Sequence, residues 1–384
     1  MNFLREIIRN SREMINQTSN QASNQASNQA SNQASNQASN HTANHTSNRG
    51  SNQKAYNPLQ YTNVMYHHPS RKFQTQDTRQ RNGEYHGRHQ NNRQDFRHFM
   101  EFMEPDKKTM VANENISLVK QKPSEFNVQK SETYLVPQLE DVEIPKGKKQ
   151  TSYRLIEGTS NMAIHEYYKN GFQSITVLNF ANSNYVGGGY LHGSMAQEEE
   201  LMRTIPDLFA SLDLDAHNHN YVDFYWDKTI KYSKNLTVRR LDGKQSNGNY
   251  DFMDDKIPVN VITAAAPNLN SERELLMEYA YKNNEMMDKI KNLIKGCCVV
   301  PLLSEKEKIT ESKSVLILGA FGCGVFCPCE QAQAHVGISY PMQISQLFYA
   351  VLSDTALQNQ YDEIVFAIPS GPNYDAFAVL WTKK

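Results

Sequence analysis

A strand-like segment followed by three consecutive glycines restricts the fold of this chain more than any other feature. Residues 174–180 read SITVLNF, an apolar and β-branched run that is typical of a buried strand. Gly187–Gly189 follow, and successive glycines are favoured where φ is positive or where another group approaches the backbone closely. Asn179 and Asn182 stand at the carboxyl end of the strand, where open α/β sheets bind ligands. The pattern therefore predicts a ligand-binding loop at the edge of an α/β sheet.

Three consecutive carboxylates follow the glycines. Seven residues separate Gly189 from Gln197, which directly precedes Glu198–Glu200. A helix is predicted to begin near Gln197 and to be interrupted at Pro206. One interpretation is a solvated acidic first turn, which the helix macrodipole stabilises. The other is a catalytic acid, because a glutamate beside like charges and a bound anion is expected to have a raised pKa. Taken alone, the acidic run favours the solvated turn.

A second glycine-rich segment, GAFGCGVF at 319–326, begins at the end of a strand predicted over 315–320. Small residues allow successive backbone N–H groups to point towards one anion, and Phe326 is placed to cover a sugar or base. The segment matches neither G-x-G-x-x-G nor a Walker loop, which argues against dinucleotide dehydrogenases and P-loop NTPases. Two glycine loops after two strands suggest a pyrophosphate bound between them.

Strand-like and helix-like segments alternate beyond about residue 100. The predicted helices span about 160–170, 271–295 and 343–352, and further strands are predicted at 259–264 and 363–368. Gly171 is expected to end the first of these helices. The alternation predicts an α/β layered domain with a mixed, largely parallel central sheet.

The first hundred residues have a different composition. From Asn16 to Asn52 the chain repeats every four residues, most often as Asn-Gln-Ala-Ser, and has almost nothing to bury. Such a segment does not offset the entropy of ordering, which predicts a disordered low-complexity region. Between 55 and 98 basic residues outnumber acidic ones, and we interpret this stretch as a solvated linker or as a weak nucleic-acid-binding arm, the dilute charge favouring the linker. Met1–Met14 reads as a short amphipathic helix.

Composition sets a few further expectations. A net charge of -1 gives no overall attraction to nucleic acid or to an anionic membrane. Five cysteines, an odd number, suit a reducing compartment, and no apolar stretch is long enough to span a bilayer. We therefore expect an intracellular protein, cytoplasmic or nuclear and not secreted. Cys323, Cys327, Cys329 and His335 lack the spacing of common zinc sites, so ordinary thiols are favoured over a metal site.

Several motifs together resemble those of poly(ADP-ribose) glycohydrolases of the microbial type, a branch of the macrodomain fold. In chain order they are LNFAN at 178–182, the glycine triplet with Gln197–Glu199, TAAAP at 263–267, GAFGCGVF at 319–326 and VFAI at 365–368. The resemblance extends from about residue 100 to the end. Its spacing of glycines and glutamates favours the catalytic interpretation of the acidic run over the solvated turn.

The resemblance implies roles for particular residues. Glu199 is implied to be the catalytic acid, Glu198 to contact ribose hydroxyls, Asn182 to contact the distal ribose and Phe326 to cover it. The implied substrate-binding residues, including the diphosphate-binding backbone, are Asn182, Gly187, Gly188, Gly189, Gln197, Gly322, Cys323, Gly324, Val325 and Phe326. Neither a metal nor a cofactor is implied. The implied partners are poly(ADP-ribose) or ADP-ribosylated proteins, with ADP-ribose as product and no membrane.

These observations lead to one domain organisation and one preferred function. We expect a short helix at 1–15 that resembles the opening helix of the catalytic domain, a disordered repeat and basic linker at 16–98, and a macrodomain-like fold at 99–384. The expected activity is hydrolysis of ribose–ribose O-glycosidic bonds, in which one carboxyl protonates the leaving oxygen and then activates water. There are two alternatives. One is a reader, which binds ADP-ribose without hydrolysing it and in which Glu199 is not catalytic. The other is an interaction scaffold based on the repeats.

Overall fold

A seven-stranded sheet organises the part of the chain that the structure, a computed structural model, describes, namely residues 106–126 and 128–382. The helix predicted at 1–15 and the repeat and linker at 16–98 lie outside these residues. The strands are β1 (Glu132–Leu135), β2 (Ser152–Glu157), β3 (Ser174–Ala181), β4 (Thr229–Arg240), β5 (Phe252–Ala265), β6 (Ser314–Leu318) and β7 (Glu363–Ile368). Their order across the sheet is β1-β4-β5-β3-β6-β7-β2.

Five adjacent strands of this sheet are parallel. β5, β3, β6, β7 and β2 pair in parallel, whereas β4 pairs antiparallel with both β1 and β5. The predicted mixed, largely parallel sheet is therefore confirmed. Parallel strands need crossover connections, and most of these are helices, which is why strand and helix segments alternate along the sequence.

The helices cover both faces of the sheet. They are α1 (Lys107–Gln121), α2 (Pro123–Phe126), α3 (Val136–Leu139), α4 (Ser160–Lys169), α5 (Gln197–Thr204), α6 (Pro206–Asp213), α7 (Arg273–Tyr281), α8 (Asn283–Ser304), α9 (Lys306–Glu311), α10 (Glu330–Val336), α11 (Tyr340–Leu352) and α12 (Pro372–Trp381). A 3₁₀ turn spans Tyr190–His192. No helix among the described residues is long and apolar enough to cross a membrane.

Alternate side chains of the central strands enter two hydrophobic cores. On β6, Leu316 and Leu318 pack with α8 and α11, whereas Val315 and Ile317 face the core that contains α4 and α5. Both faces of these strands are buried, so the strands read as continuous apolar runs in the sequence. The result is a three-layer α/β/α arrangement, as the layered α/β prediction requires.

The structure corrects some of the predicted element boundaries. The single helix expected over 271–295 is instead two helices, α7 and α8, because Lys282 leaves the helical region at φ -127° and ψ 42°. The Asn283 side chain donates to the carbonyl of Tyr279 and so satisfies an acceptor at the end of α7. The strand expected to reach residue 320 ends at Leu318. Pro206 does separate α5 from α6, as predicted.

The loops after five strands meet at one edge of the sheet. β2, β3, β5, β6 and β7 are parallel, so their carboxyl ends lie on the same side. The first glycine loop follows β3 and the second follows β6, which brings the two predicted loops to the same edge. A cavity opens at this edge.

Candidate active site

A cavity of about 480 Å³ opens at the carboxyl edge of the sheet. Its walls come from the start of α4, the end of β3, the start of α5, the second glycine loop and the turn from β7 into α12. Of the described residues that line it, only Glu200 is ionisable, and the rest of the wall is largely apolar. A ligand with one apolar face therefore fits this cavity, and no side-chain cation among the described residues lines it to meet an anionic group.

The second glycine loop supplies such N–H groups. Gly322 has a φ of +73°, and a Cβ at this position would lie 2.8 Å from the Cβ of Ala266. The backbone N–H groups of Gly322, Gly324, Val325 and Phe326 make no hydrogen bond to any described residue. Unpaired, successive N–H groups in a glycine-rich turn form the kind of concave anion site that binds phosphate.

Cys323 differs from its neighbours in this loop. Its N–H donates to the carbonyl of Ala320, and its own carbonyl accepts a hydrogen bond from the Asn373 side chain at 3.2 Å. The Cys323 side chain is buried and donates to the Phe321 carbonyl at 3.4 Å. Cys323 therefore joins the loop to the start of α12. The N–H groups on either side of it, those of Gly322 and Gly324, remain unpaired.

The first glycine loop holds carboxylates. The N–H of Gly189 donates to Oε1 of Glu199 at 2.9 Å, and the N–H of Gly188 donates to the carbonyl of Tyr185. A Cβ on Gly188 would lie 2.8 Å from Oε2 of Glu198 and 2.9 Å from Oε1 of Glu199. Glycine at this position therefore allows both carboxylates to approach the backbone. Among the described residues, the triplet does not line the cavity.

Glu198 and Glu199 are buried, with exposed fractions of 3% and 6%. Burial of Glu198 and Glu199 therefore excludes the interpretation of these two positions as part of a solvated acidic turn. Oε2 of Glu199 accepts the N–H of Ala196 at 2.9 Å, which caps the first turn of α5. Since Ala196 lines the cavity, Glu199 is held immediately beside it. The carboxylate thus stabilises the helix and borders the ligand space at the same time.

Burial raises the pKa of Glu198 well above its ordinary value. Hydrogen bonding from the Asn182 N–H at 2.8 Å acts in the opposite direction, and the neighbouring Glu199 charge raises the pKa further. Oε1 of Glu198 has no partner among the described residues. The sequence led us to expect a raised pKa at Glu199, whereas in the structure it is the pKa of Glu198 that burial raises.

Gln197 connects the two glutamates to the sheet. Its side-chain oxygen accepts the N–H of Phe180 at 2.9 Å, and its amide nitrogen donates to the carbonyl of Leu178 at 2.7 Å and to Ser160. The amide thereby extends the hydrogen bonding of β3 into α5. It also lines the cavity, in agreement with its place among the predicted site residues.

The other predicted site residues occupy different positions around this edge. Asn182 accepts the N–H groups of Asn184 and Tyr185 through its side-chain oxygen, so this oxygen shapes the turn before the glycines. Phe326 and Val325 line the cavity, and Val325 is 73% exposed at its mouth. The structure thus brings Gln197, Gly322, Gly324, Val325 and Phe326 to the cavity wall, and it places Asn182, Glu198 and Glu199 behind that wall.

Three features of the site were not among the predicted residues. The turn from β7 into α12, residues 368–373, forms one wall, and residues 159–161 form another. The third feature is the ion pair of Glu200 with Arg203, whose Nη1 and Oε1 atoms lie 3.1 Å apart. Arg203 therefore counterbalances the charge that Glu200 would otherwise add beside Glu198 and Glu199. Glu200 and Arg203 are three residues apart on one helix, and this spacing is the sequence signal that could have predicted the ion pair.

The cysteine and histidine group considered from the sequence is not gathered into a site. Among the described residues no three His, Cys, Asp or Glu side chains are arranged to hold a metal ion. Cys323 is buried, Cys327 is partly buried and Cys329 is exposed. The five cysteines are free thiols in this structure.

Comparison with known proteins agrees with the resemblance drawn from the motifs. Residues 97–240 match the family described as microbial-type PARG, catalytic domain, where PARG denotes poly(ADP-ribose) glycohydrolase. No curated protein sequence matches the chain. The matched segment contains the first glycine loop and α5, so the resemblance is confirmed over that segment.

Solved structures share the fold. The poly(ADP-ribose) glycohydrolase of Thermomonospora curvata, bound to the inhibitor ADP-HPD, aligns with a TM-score of 0.53 and 22% identity, over 71% of this chain and 98% of that chain. Another structure of the same enzyme gives a TM-score of 0.52 at 22% identity over the same shares. At this identity the likeness concerns the fold, and the macrodomain-like α/β prediction is confirmed.

Proposed function

We propose that this chain, whose residues 97–240 match the microbial-type poly(ADP-ribose) glycohydrolase catalytic domain, hydrolyses the ribose–ribose O-glycosidic bonds of poly(ADP-ribose) and releases ADP-ribose. The main support is the placement of a buried Glu199, held by two backbone N–H groups, beside a cavity whose wall also offers unpaired backbone N–H groups. A diphosphate needs such N–H groups, and glycosidic cleavage needs a positioned carboxyl. Both requirements are met at one sheet edge.

The proposed binding mode follows from the cavity wall. The diphosphate is placed on the N–H groups of Gly322, Gly324 and Val325, where no side-chain cation among the described residues lines the cavity. Phe326 covers the adjacent ribose, and Gln197 contacts the substrate from α5. Gly187–Gly189 are proposed to act mainly by admitting the two carboxylates close to the backbone, since the N–H of Gly189 already binds Glu199. Asn182 is proposed to contact the distal ribose through its amide nitrogen.

The proposed chemistry uses one carboxyl twice. Protonated Glu199 donates its proton to the ribose oxygen that leaves, and the resulting carboxylate then accepts a proton from the attacking water. Glu198, which burial keeps protonated over a wider pH range, is placed to donate a hydrogen bond to a ribose hydroxyl. No metal enters either step.

The Glu199→Gln variant tests the proposal against the reader alternative. The amide keeps the shape of the side chain and accepts one N–H as before, but it does not transfer a proton. We expect ADP-ribose binding to be retained in calorimetry and turnover of poly(ADP-ribose) to fall by about 10² to 10⁴. Glu307→Gln, an exposed change on α9, is the matched control and should behave as wild type.

Two results would contradict the proposal. If wild-type protein binds ADP-ribose and releases none from the polymer, the chain is a reader. If Glu199→Gln turns over polymer at the wild-type rate, another group supplies the proton. The scaffold alternative predicts that neither binding nor turnover resides in residues 99–384.

A further inference from the structure

The polar network behind the first turn of α5 contains an arginine that is completely buried. Arg203 has an exposed fraction of 0% and contacts two acceptors through its two terminal nitrogens. Nη1 lies 3.1 Å from Oε1 of Glu200, and Nη2 donates to the backbone carbonyl of Ser194 at 2.5 Å. A buried guanidinium is costly unless it is paired and hydrogen-bonded; Nη1 and Nη2 are both paired here, whereas Nε has no partner among the described residues.

Ser194 lies between the two amides that hold Glu199. Its N–H donates to the carbonyl of Gly189 at 3.2 Å, and a Cβ on Gly189 would lie only 2.1 Å from the Ser194 hydroxyl oxygen. The Gly189 N–H and the Ala196 N–H each bind one oxygen of the Glu199 carboxylate at 2.9 Å. Displacement of Ser194 would therefore move both N–H groups away from the Glu199 carboxylate.

Glu200 and Tyr250 hold Arg203 in place. Oε1 of Glu200 also accepts the Tyr250 hydroxyl at 2.5 Å, and Oε2 accepts the N–H of Gly243 at 3.4 Å. The rings of Tyr190 and Tyr250 lie 5.9 and 5.6 Å from the guanidinium carbon. The connection between β4 and β5, which carries Gly243 and Tyr250, is thus tied to α5 through Glu200.

We propose that Arg203 is a positioning residue for Glu199, that it acts by holding the carbonyl of Ser194, and that Glu200 is its counter-ion and takes no part in proton transfer. A planar guanidinium bonds a carboxylate and a carbonyl in two directions at once, which a lysine ammonium does less well. Glu200 lines the cavity and so keeps access to water when Arg203 is removed. The kinetic part of this inference rests on the proposed function, whereas the structural part does not.

Hydrogen exchange of the backbone amides tests the structural part without any substrate. In Arg203→Met we expect exchange over residues 187–197 to speed up by about tenfold or more, because local opening of the loop costs less. Exchange of β7 should stay unchanged. Arg203→Lys should give an intermediate rate, and it serves as the second variant if the methionine substitution does not fold.

Kinetics tests the functional part. We expect kcat on poly(ADP-ribose) to fall about 10- to 100-fold in Arg203→Met, because a misplaced catalytic group costs that much, and to recover in part in Arg203→Lys. The dissociation constant of ADP-ribose should change by less than about threefold, since the second glycine loop is untouched. The matched control is Arg239→Met, which removes another buried arginine that pairs with Glu125 and stacks on Phe126 at 4.1 Å. It should alter neither the kcat nor the exchange of 187–197.

The outcomes separate this inference from the proposed function. Unchanged exchange over 187–197 in a folded Arg203 variant overturns the inference, whether or not the wild type is active. An unchanged kcat in an active enzyme overturns it too, and so does a loss of ADP-ribose affinity in parallel with kcat. Absence of turnover in the wild type contradicts the proposed function alone, and the exchange result then decides the inference.

Discussion

Buried acids set how this protein responds to pH, and Asp207 is the clearest case. It lies in the first turn of α6 with 1% of its surface exposed. Burial raises its pKa to about 7, while the long hydrogen bond from the Thr237 N–H and the charge of Arg239 act in the opposite direction. The folded protein therefore keeps this carboxyl protonated at pH values where the unfolded chain has released the proton.

The sign of the resulting pH dependence follows directly. Below about pH 4 both the folded and the unfolded state hold the proton, so Asp207 does not lower the stability. As the pH rises from about 4 to about 7, the free energy of unfolding falls by about 1.4 kcal/mol per pH unit. Asp207→Asn removes this titration and keeps an oxygen for the Thr237 N–H. We expect melting temperatures of the variant to decline less than those of wild type across this window. Asp254→Asn, an exposed change, should follow wild type, and parallel curves for Asp207→Asn would contradict the assignment.

Carboxylate geometry also predicts how the activity responds to chelation. Both oxygens of Glu199 and one oxygen of Glu198 already accept backbone N–H groups, which leaves these residues poorly arranged to bind an octahedral cation. We expect turnover of poly(ADP-ribose) to survive excess EDTA, to gain nothing from magnesium, and to be inhibited by ADP-ribose. Reversible loss of activity on chelation, restored by magnesium, would refute the Glu199 mechanism even with this fold.

The first glycine loop is the element whose sequence is most tightly tied to the site. Gly188 has a φ of +55°, and Gly171, at the end of α4, has a φ of +79° with open space around it. Alanine in a left-handed conformation costs about 1–2 kcal/mol, so both Gly188→Ala and Gly171→Ala should lower the melting temperature. Only Gly188→Ala places a methyl group within 2.9 Å of both glutamate carboxylates.

The pair of variants therefore separates strain from chemistry. We expect Gly171→Ala to keep wild-type kcat and Gly188→Ala to lose about tenfold or more, because its methyl group displaces Glu199 from its amides. Thermal melting and steady-state kinetics on the same preparations make the comparison. Equal kcat values for the two variants would show that the close approach at Gly188 is not needed for turnover.

At the level of elements, the sequence predicts best those strands that are buried on both faces. β3, β6 and β7 are continuous apolar runs, and each was found within two residues of its position. β4 was missed because its apolar residues are interrupted by charged side chains such as Lys231 and Arg239, which are buried through distant ion pairs. Such pairing depends on tertiary contacts and leaves no local signal.

The same distinction holds for the site. The glycine loops and the Gln197–Glu199 run carry local signals, since spacing and composition alone mark them. The support of Glu200 by Tyr250 joins residues 50 positions apart, and the Asn373 contact to Cys323 spans the same distance. The residues proposed to hold the substrate were therefore predictable from the sequence, whereas the residues that hold them in place were not.

At the scale of the whole molecule, the first hundred residues differ in kind from the catalytic domain proposed to span 99–384. Their repeats and dilute charge predict a segment without a core of its own. We expect deletion of residues 50–98 to leave kcat on poly(ADP-ribose) largely intact, because no predicted site residue lies there. A loss of activity relative to the full chain, assayed at equal protein concentration, would instead support the interaction-scaffold alternative.

Deletion of Met1–Met14 tests the domain organisation more sharply, because the amphipathic pattern of these residues resembles the opening helix of the catalytic domain. If this helix packs on the domain, the repeat is an insertion, and removal of the helix exposes apolar surface at about 25 cal/mol per Å². We expect its deletion to lower the melting temperature, whereas deletion of residues 16–49 alone should not, since that segment has little apolar surface to bury. Both variants should be compared by calorimetry at equal concentration. Identical melting of the two would show that the first fourteen residues are a tail, and the domain would then begin only after the linker.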